Sequence, residues 1–228
     1  MNKHLLTILV ALFLCAAVRA QTPTIRPVDR IHEFGHIGID FFVYHTYRLA
    51  NNSAEPVNIL EVLSKCECTR IEQYDTLIPP GDTGHIRVEF STRDYYGPVQ
   101  RGIAVILDDS ARTAIDFDHR AVVGQWFFGL KPDPISVFML PKHRALEVTV
   151  TNTEHDEIRM SLVEQADTSF SIRILEDEAD RGEQVKLKVV PSTGLSKGTY
   201  MSSFTIAVAV EGGAEPALLT IPVKIVRY

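Results

Sequence analysis

The sequence predicts an all-β protein built from two tandem immunoglobulin-like β-sandwiches. Short runs in which apolar and polar residues alternate recur along the chain, and such runs are typical of strands with one buried face. Landmark residues recur at a spacing of 101 residues, which is the size of one sandwich domain. No stretch shows a convincing helical periodicity, so we expect the fold to be formed by strands and turns.

The alternating runs are separated by Gly, Pro, Asn and Asp, the residues that favour turns. Many short strands at turn-marked spacing indicate a β-sandwich. The clearest runs are residues 86–90 (IRVEF), 146–150 (LEVTV), 170–174 (FSIRI) and 185–189 (VKLKV).

The repeat is marked by polar residues and glycines that sit at the ends of these runs. Asn51 and Asn152 are 101 residues apart, and Gly81 and Gly182 have the same spacing. Recurring glycines mark turns that need a positive φ or a close backbone approach. The other matched pairs are Ser91 with Ser192, Thr92 with Thr193, Gly97 with Gly198, Phe34 with Ile135, Val88 with Val189, and Val105 with Ile206.

The repeat places the first sandwich at residues 21–124 and the second at 135–228, with a linker at 125–134 between them. The linker contains the chain's single tryptophan, Trp126, followed by Phe127 and Phe128. A flexible linker would be polar, so these aromatics are expected to be buried between the copies or under the first sandwich. The alternative is an exposed aromatic platform for a ligand.

Residues 1–20 have the features of a signal peptide: a short basic start, an apolar run over 5–17 and small residues before Gln21. The apolar run is too short to span a membrane, which takes roughly 20 residues. Cys15 raises a lipoprotein alternative, but Leu14 precedes it where lipoprotein signals favour a small residue. We therefore expect a periplasmic, secreted or cell-surface protein with no transmembrane segment in the mature chain.

The formal net charge is −6 and the sequence pI is about 5.7, so nothing indicates a nucleic-acid-binding protein, which would need a basic face. Gly-x-Ser-x-Gly, His-Glu-x-x-His and phosphate-loop motifs do not occur. The sequence thus predicts no enzyme and no cofactor.

Cys66 and Cys68 are the cysteines that remain after export, and an oxidising compartment favours a disulfide between them. Two residues apart on an extended strand, they would share a face, with Cα atoms near the upper limit for a disulfide. Three interpretations stay open: a structural disulfide or packed thiols, a redox-active pair, and a metal site.

The metal interpretation of the cysteines requires two further ligands. The histidines of the first copy show no ligand spacing, so no metal site is predicted. Among them are His32, His36, His45 and His85.

The order of motifs in the first copy resembles the DUF1573 family of exported bacterial proteins, which is similar to the ASPM–SPD-2–Hydin class of immunoglobulin-like domains. The family's usual cysteine motif is Ser-Cys-Gly-Cys-Thr, whereas this chain has Lys65 before the first cysteine and Glu67 between the two. The resemblance implies an immunoglobulin-like fold in the envelope or outside the cell, and no reaction. It extends over about residues 30–107 and rests on residues 31–37, 51–52, 59–62, 66–69, 78–81 and 86–90.

These observations favour an exported, non-enzymatic binding or scaffolding protein of the cell envelope. Its expected partner is another envelope or surface protein, or a glycan, and exposed strand edges are the expected mode of contact. The alternative is an exported thiol–disulfide or metal-handling protein that uses Cys66 and Cys68.

Overall fold

The computed structural model describes residues 25–108 and 114–228, and these residues form strands and turns without a helix. The all-β prediction is therefore confirmed. The predicted signal peptide, residues 1–20 with Cys15, lies outside the described residues.

We call residues 25–123 the first half and residues 130–228 the second half. The strands of the first half are β1 (Ile25–Pro27), β2 (Ile31–Ile37), β3 (Phe42–Asn51), β4 (Val57–Ser64), β5 (Thr69–Tyr74), β6 (Leu77–Ile78), β7 (Thr83–Ser91), β8 (Gly97–Leu107) and β9 (Ala114–Val123). The strands of the second half are β10 (Leu130–Asp133), β11 (Val137–Met139), β12 (Leu146–Asn152), β13 (Glu157–Gln165), β14 (Phe170–Glu176), β15 (Glu178–Asp180), β16 (Gln184–Pro191), β17 (Gly198–Val210) and β18 (Ala217–Arg227).

The two halves have corresponding strand orders. One four-stranded sheet has the order β1-β3-β7-β5, and the other has β10-β12-β16-β14. Opposite them lie β2-β9-β8-β4-β6 in the first half, and β18-β17-β13-β15 with β11 paired to β18 in the second. Each strand of the second half thus occupies the place of the strand nine earlier in the chain.

The repeated asparagines and glycines form the same structure twice. Asn51 and Asn152 are fully buried, and their side-chain amides donate to backbone carbonyls, including those of Ile78 and Ala179 respectively. The backbone oxygen of each asparagine accepts from the amide of a glycine with positive φ, at Gly81 and Gly182. Buried amides that satisfy several backbone groups fix the surrounding loop, which explains the recurrence of these residues.

Hydrophobic cores lie between the facing sheets. Alternate residues of β7 and β16 point inward, so Val88 and the corresponding Val189 are both fully buried. The second half has one large core, whereas buried side chains in the first half form two clusters.

The larger sheets of the two halves join into one ten-stranded sheet. Strand β2 runs parallel to β9 and also meets β18 of the second half, where His36 is paired with Leu219. A Cβ atom at Gly35, whose φ is +68°, would lie 2.2 Å from the backbone oxygen of Leu218. The absence of a side chain at Gly35 therefore permits the close approach of β2 and β18.

The segment predicted as a linker, residues 125–134, contains β10. Leu130 and Pro132 are buried, and β10 pairs with β12 inside the second half. The second half thus begins before the predicted position of residue 135. The assignment of the halves to separate folding domains stays a prediction.

Candidate functional site

Cys66 and Cys68 lie in the turn between β4 and β5, and their Sγ atoms are 2.07 Å apart, at bonding distance. The chain reverses here rather than continuing as an extended strand. Ser64 Oγ and Thr69 N both donate to the backbone oxygen of Cys66. The two Cα atoms are consequently 5.3 Å apart, well inside the disulfide range rather than at its upper limit.

Both cysteines are partly exposed. Cys68 packs against the core cluster that contains Phe34 and Phe90, while Cys66 lines a shallow cavity with Lys65 and Arg101. Nearby cationic side chains stabilise a thiolate over a thiol. Cys66 therefore lies beside two cationic side chains.

The corresponding turn of the second half has Asp167 and Ser169 in place of the cysteines. Asp167 Oδ1 accepts from the backbone nitrogen of Ser169 at 2.8 Å and from its hydroxyl at 2.6 Å. Side-chain hydrogen bonds therefore hold this turn, whereas the two cysteines hold the corresponding turn of the first half.

The three aromatic residues between the halves have different surroundings. Trp126 and Phe127 are half-buried and pack against the core of the second half, and the Phe127 ring also meets His36 edge-on at 5.9 Å. Phe128 is 75% exposed. Trp126 and Phe127 therefore have packing roles, and only Phe128 offers an open aromatic surface.

A cluster of His32, His45 and Glu164, here called the His–Glu cluster, lies where the two halves meet. His32 belongs to β2, His45 to β3 and Glu164 to β13. Nδ1 of His45 is 2.7 Å from one carboxylate oxygen of Glu164, and Nδ1 of His32 is 3.3 Å from the other. The two imidazole rings stack with their centroids 3.7 Å apart.

Burial controls the protonation of this cluster. Desolvation, with a smaller contribution from His45, lowers the pKa of His32 to about 3, so the ring is neutral at neutral pH. Burial alone would raise the pKa of Glu164, but the hydrogen bond and charge of His45 lower it below its ordinary value. The cluster therefore holds an ionised carboxylate that faces two imidazole nitrogens.

Sequence reasoning named both histidines but did not bring them together. They lie 13 positions apart on strands of different sheets, and Glu164 comes from the other half. No local spacing signals such a cluster. Glu164 can be recognised as the partner of the two histidines only when the packing between the two halves is known.

A second set of polar contacts at the junction centres on Arg87. Its guanidinium donates to the backbone oxygens of Ala166 and Met201 and to the carboxylate of Asp167. It also lies over the ring of Tyr44, 5.0 Å from the centroid. These groups line a cavity between the halves.

As on β4 and β6 of the first half, aliphatic side chains are exposed on β13 and β14 of the second half. They are Leu162, Val163, Ile174 and Leu175, and Val163 is the most exposed, at 53%. Strand β14 is the outer strand of its sheet and pairs only with β16 among the described residues. One side of its backbone is therefore open to another strand.

The corresponding outer strand of the first half, β5, carries two charged residues, as β14 does with Arg173 and Glu176. Arg70 lies 2.6 Å from the carboxylate of Glu72 on the same strand and 3.2 Å from that of Glu89 on β7. Charged side chains on an edge strand oppose pairing with another chain. The two edges differ in their aliphatic residues, because Ile174 and Leu175 are exposed on β14 whereas Ile71 on β5 is half-buried.

Comparison with known proteins identifies the family of the first half. The family model described as protein of unknown function (DUF1573) matches residues 25–118, so the resemblance seen in the sequence is confirmed. No curated protein matches the sequence. No helix long and apolar enough to cross a membrane occurs in residues 25–108 or 114–228.

Three solved structures illustrate the similarity at the level of fold. A protein of unknown function from Porphyromonas gingivalis W83 is 8% identical, with a TM-score of 0.35, 90% of this chain covered and 100% of that chain. The ASH / PapD-like domain 7 of human CEP192 is 10% identical, with a TM-score of 0.35 and coverages of 46% and 87%. The VesB protease of Vibrio cholerae is 10% identical with a TM-score of 0.37, and the match covers 45% of this chain but only 32% of that protease.

At these TM-scores the three structures supply no argument about function, and the family model alone carries the assignment. Its match includes the cysteine turn, both histidines of the His–Glu cluster and Arg87. This chain therefore resembles the DUF1573 family, a family of unknown function, over residues 25–118, which are 94 of its 228 residues.

Proposed function

We propose that this chain is an exported, non-enzymatic binding protein of the cell envelope that captures an extended segment of another envelope protein along β14. The observation that carries the proposal is the open edge of β14, beside exposed aliphatic side chains of β13 in the facing sheet. Strand addition at such an edge provides main-chain hydrogen bonds for affinity and side-chain contacts for specificity.

The composition of the edge favours an apolar partner segment. Ile174 and Leu175 are both exposed at the open end of β14, and Leu162 and Val163 are exposed on β13. Exposed aliphatic residues grouped on an unpaired edge are typical of interaction sites. Arg173 precedes them on β14 and Glu176 follows them, and the register of β14 against β16 shifts between Ile174 and Glu176.

The two-half architecture supports a scaffolding role for the rest of the molecule. Because the larger sheets join through β2 and β18, the junction holds β13 in a fixed position relative to the first half. A binding edge on a rigid support loses little conformational entropy when a partner adds to it.

Cross-linking pull-down from the native envelope tests the proposal with matched variants. Val163→Arg combined with Leu175→Arg places charge on the β13–β14 edge without altering the buried core, and should reduce recovery of the partner at least tenfold. Leu60→Arg combined with Leu77→Arg changes equally exposed residues of the first half and should leave recovery unchanged. Equal recovery with both double variants, or equal loss, would remove β14 as the contact.

A thiol–disulfide function is the second candidate, favoured by the cavity that Cys66 lines with Lys65 and Arg101. Titration of the pair against glutathione buffers separates the two functions. A redox-active pair should be reduced reversibly well above about −300 mV, the level below which structural disulfides lie. A bridge that resists reduction in the folded protein would leave the cysteines with a structural role.

A further inference from the structure

We propose that His32, His45 and Glu164 form a binding site for a divalent first-row transition metal such as Zn²⁺, and that the bound metal ties the two halves together. The three side chains provide two imidazole nitrogens and one carboxylate, and the donor atoms all lie within 4.8 Å of one another. This donor set is one of the common zinc sets, in which the fourth position is open to water or another ligand.

The distances show how much adjustment a metal requires. With bonds of about 2.0–2.1 Å, donor atoms around a tetrahedral zinc lie about 3.3 Å apart. The distance from His32 Nδ1 to Glu164 Oε2 is already 3.3 Å. The distance from His45 Nδ1 to Glu164 Oε1 is 2.7 Å and must widen by about 0.6 Å. These changes are within the range of side-chain rotation.

The rings must also turn. A metal lies near the plane of each imidazole that binds it, and the two rings are now stacked at an interplanar angle of 11°. Nε2 of His32 is buried without a hydrogen-bond partner, so the present orientation of this ring leaves a polar atom unsatisfied. Both observations favour a different ring orientation when the site is occupied.

The surroundings permit entry and charge compensation. The His–Glu cluster borders a solvent-accessible cavity that is also lined by Asp29, Arg48 and Gln165. The neutral His32 side chain, 10% exposed, is already in the form that binds metals. The ionised carboxylate of Glu164 supplies negative charge that compensates part of the charge of a divalent ion.

Metal binding should stabilise the fold, because two ligands come from the first half and one from the second. A ligand present at 100 times its dissociation constant should raise the melting temperature of a chain of this size by about 5–10 °C. The same metal should protect the junction from proteolysis.

The experiment uses the untagged mature chain, titrated with Zn²⁺ by calorimetry and with Co²⁺ by visible absorption. We expect one metal per chain and the intense d–d bands of a tetrahedral Co²⁺ site. Glu164→Gln should weaken binding at least tenfold, and His32→Asn combined with His45→Asn should abolish it. His85→Asn, which changes an exposed histidine paired with Asp75, should leave binding intact.

The cysteines require their own control, since reduced thiols also bind zinc. Cys66→Ser combined with Cys68→Ser should retain the metal, and loss of binding in that variant would overturn the proposal. Absence of stoichiometric binding, or binding unaffected by Glu164→Gln, would do the same. Should the Glu164 variant fail to fold, X-ray absorption of the zinc-loaded wild type decides: two imidazole ligands support the site, and sulfur ligands contradict it.

Discussion

Replacing Arg87 with methionine should lower the free energy of unfolding, because this residue of β7 holds the second half to the first. Its guanidinium donates to Ala166 O at 2.9 Å, Asp167 Oδ2 at 2.9 Å and Met201 O at 3.1 Å. Methionine keeps an unbranched chain against Tyr44 but removes every donor.

The size of the expected loss in unfolding free energy depends on how exposed Arg87 and Asp167 are. Hydrogen bonds to a charged group contribute about 1.5–3 kcal/mol each, so three would total well above 4 kcal/mol if they were additive. Arg87 and Asp167 are 21% and 28% exposed, and water can replace part of what is lost. We therefore expect a loss of about 2–4 kcal/mol, which for a chain of this size lowers the melting temperature by about 4–16 °C.

Urea denaturation of purified protein measures this change, and Arg93→Met is the matched control. The nearest carboxylate to Arg93 is 3.9 Å away, on Asp40, and both side chains are about two-thirds exposed. That control should change stability by less than about 0.5 kcal/mol. Arg87→Lys should fall between the two, since it keeps the charge but not the planar fork. Indistinguishable midpoints for Arg87→Met and Arg93→Met would refute the assigned role of Arg87.

Three further predictions concern the buried polar groups and the contact between β2 and β18. Asn152→Ala should cost about 2–3 kcal/mol in a thermal or urea melt, because it leaves buried carbonyls without a donor. Burial lowers the pKa of His32 and of His119 to about 3, so between pH 6.5 and 3 the unfolded chain binds protons that the folded chain does not. Lowering the pH should therefore reduce the free energy of unfolding by up to about 1.4 kcal/mol per pH unit for each histidine. A urea midpoint that is unchanged between pH 7 and pH 5 would contradict this. Gly35→Ala should destabilise by more than about 2 kcal/mol through its clash with β18, whereas Gly81→Ala, also at positive φ but with open space around it, should cost about 1 kcal/mol.

The strands were predictable because each buries one face. In β7, β12 and β16 the alternation of apolar residues coincides with alternate burial, and it needs no knowledge of the partner strand. The spacing of 101 residues was informative for a similar reason. Asn51 and Asn152 bond to nearby loops, so a local structural requirement leaves the same residue at both places.

The junction was not predictable, because its contacts join residues distant in the chain. The parallel approach of β2 to β18 has no local sequence signature, and the polar residues of the His–Glu cluster look like ordinary members of three strands. The cysteine turn was missed because Lys65 and Glu67 lack the glycine that would have indicated a reversal. The sequence does not indicate strand β10, because it is short and three of its four residues, Lys131, Pro132 and Asp133, are prolyl or charged.

Site-specific photo-cross-linking in the native envelope tests the central claim, that β14 is the binding edge, most directly. A cross-linking residue at position 175 on β14 should form an adduct with a distinct envelope protein. The same residue at position 74 on β5, 101 residues earlier in the chain, should not. An adduct from position 74 alone, or none from position 175 in a correctly folded protein, would contradict the proposed edge.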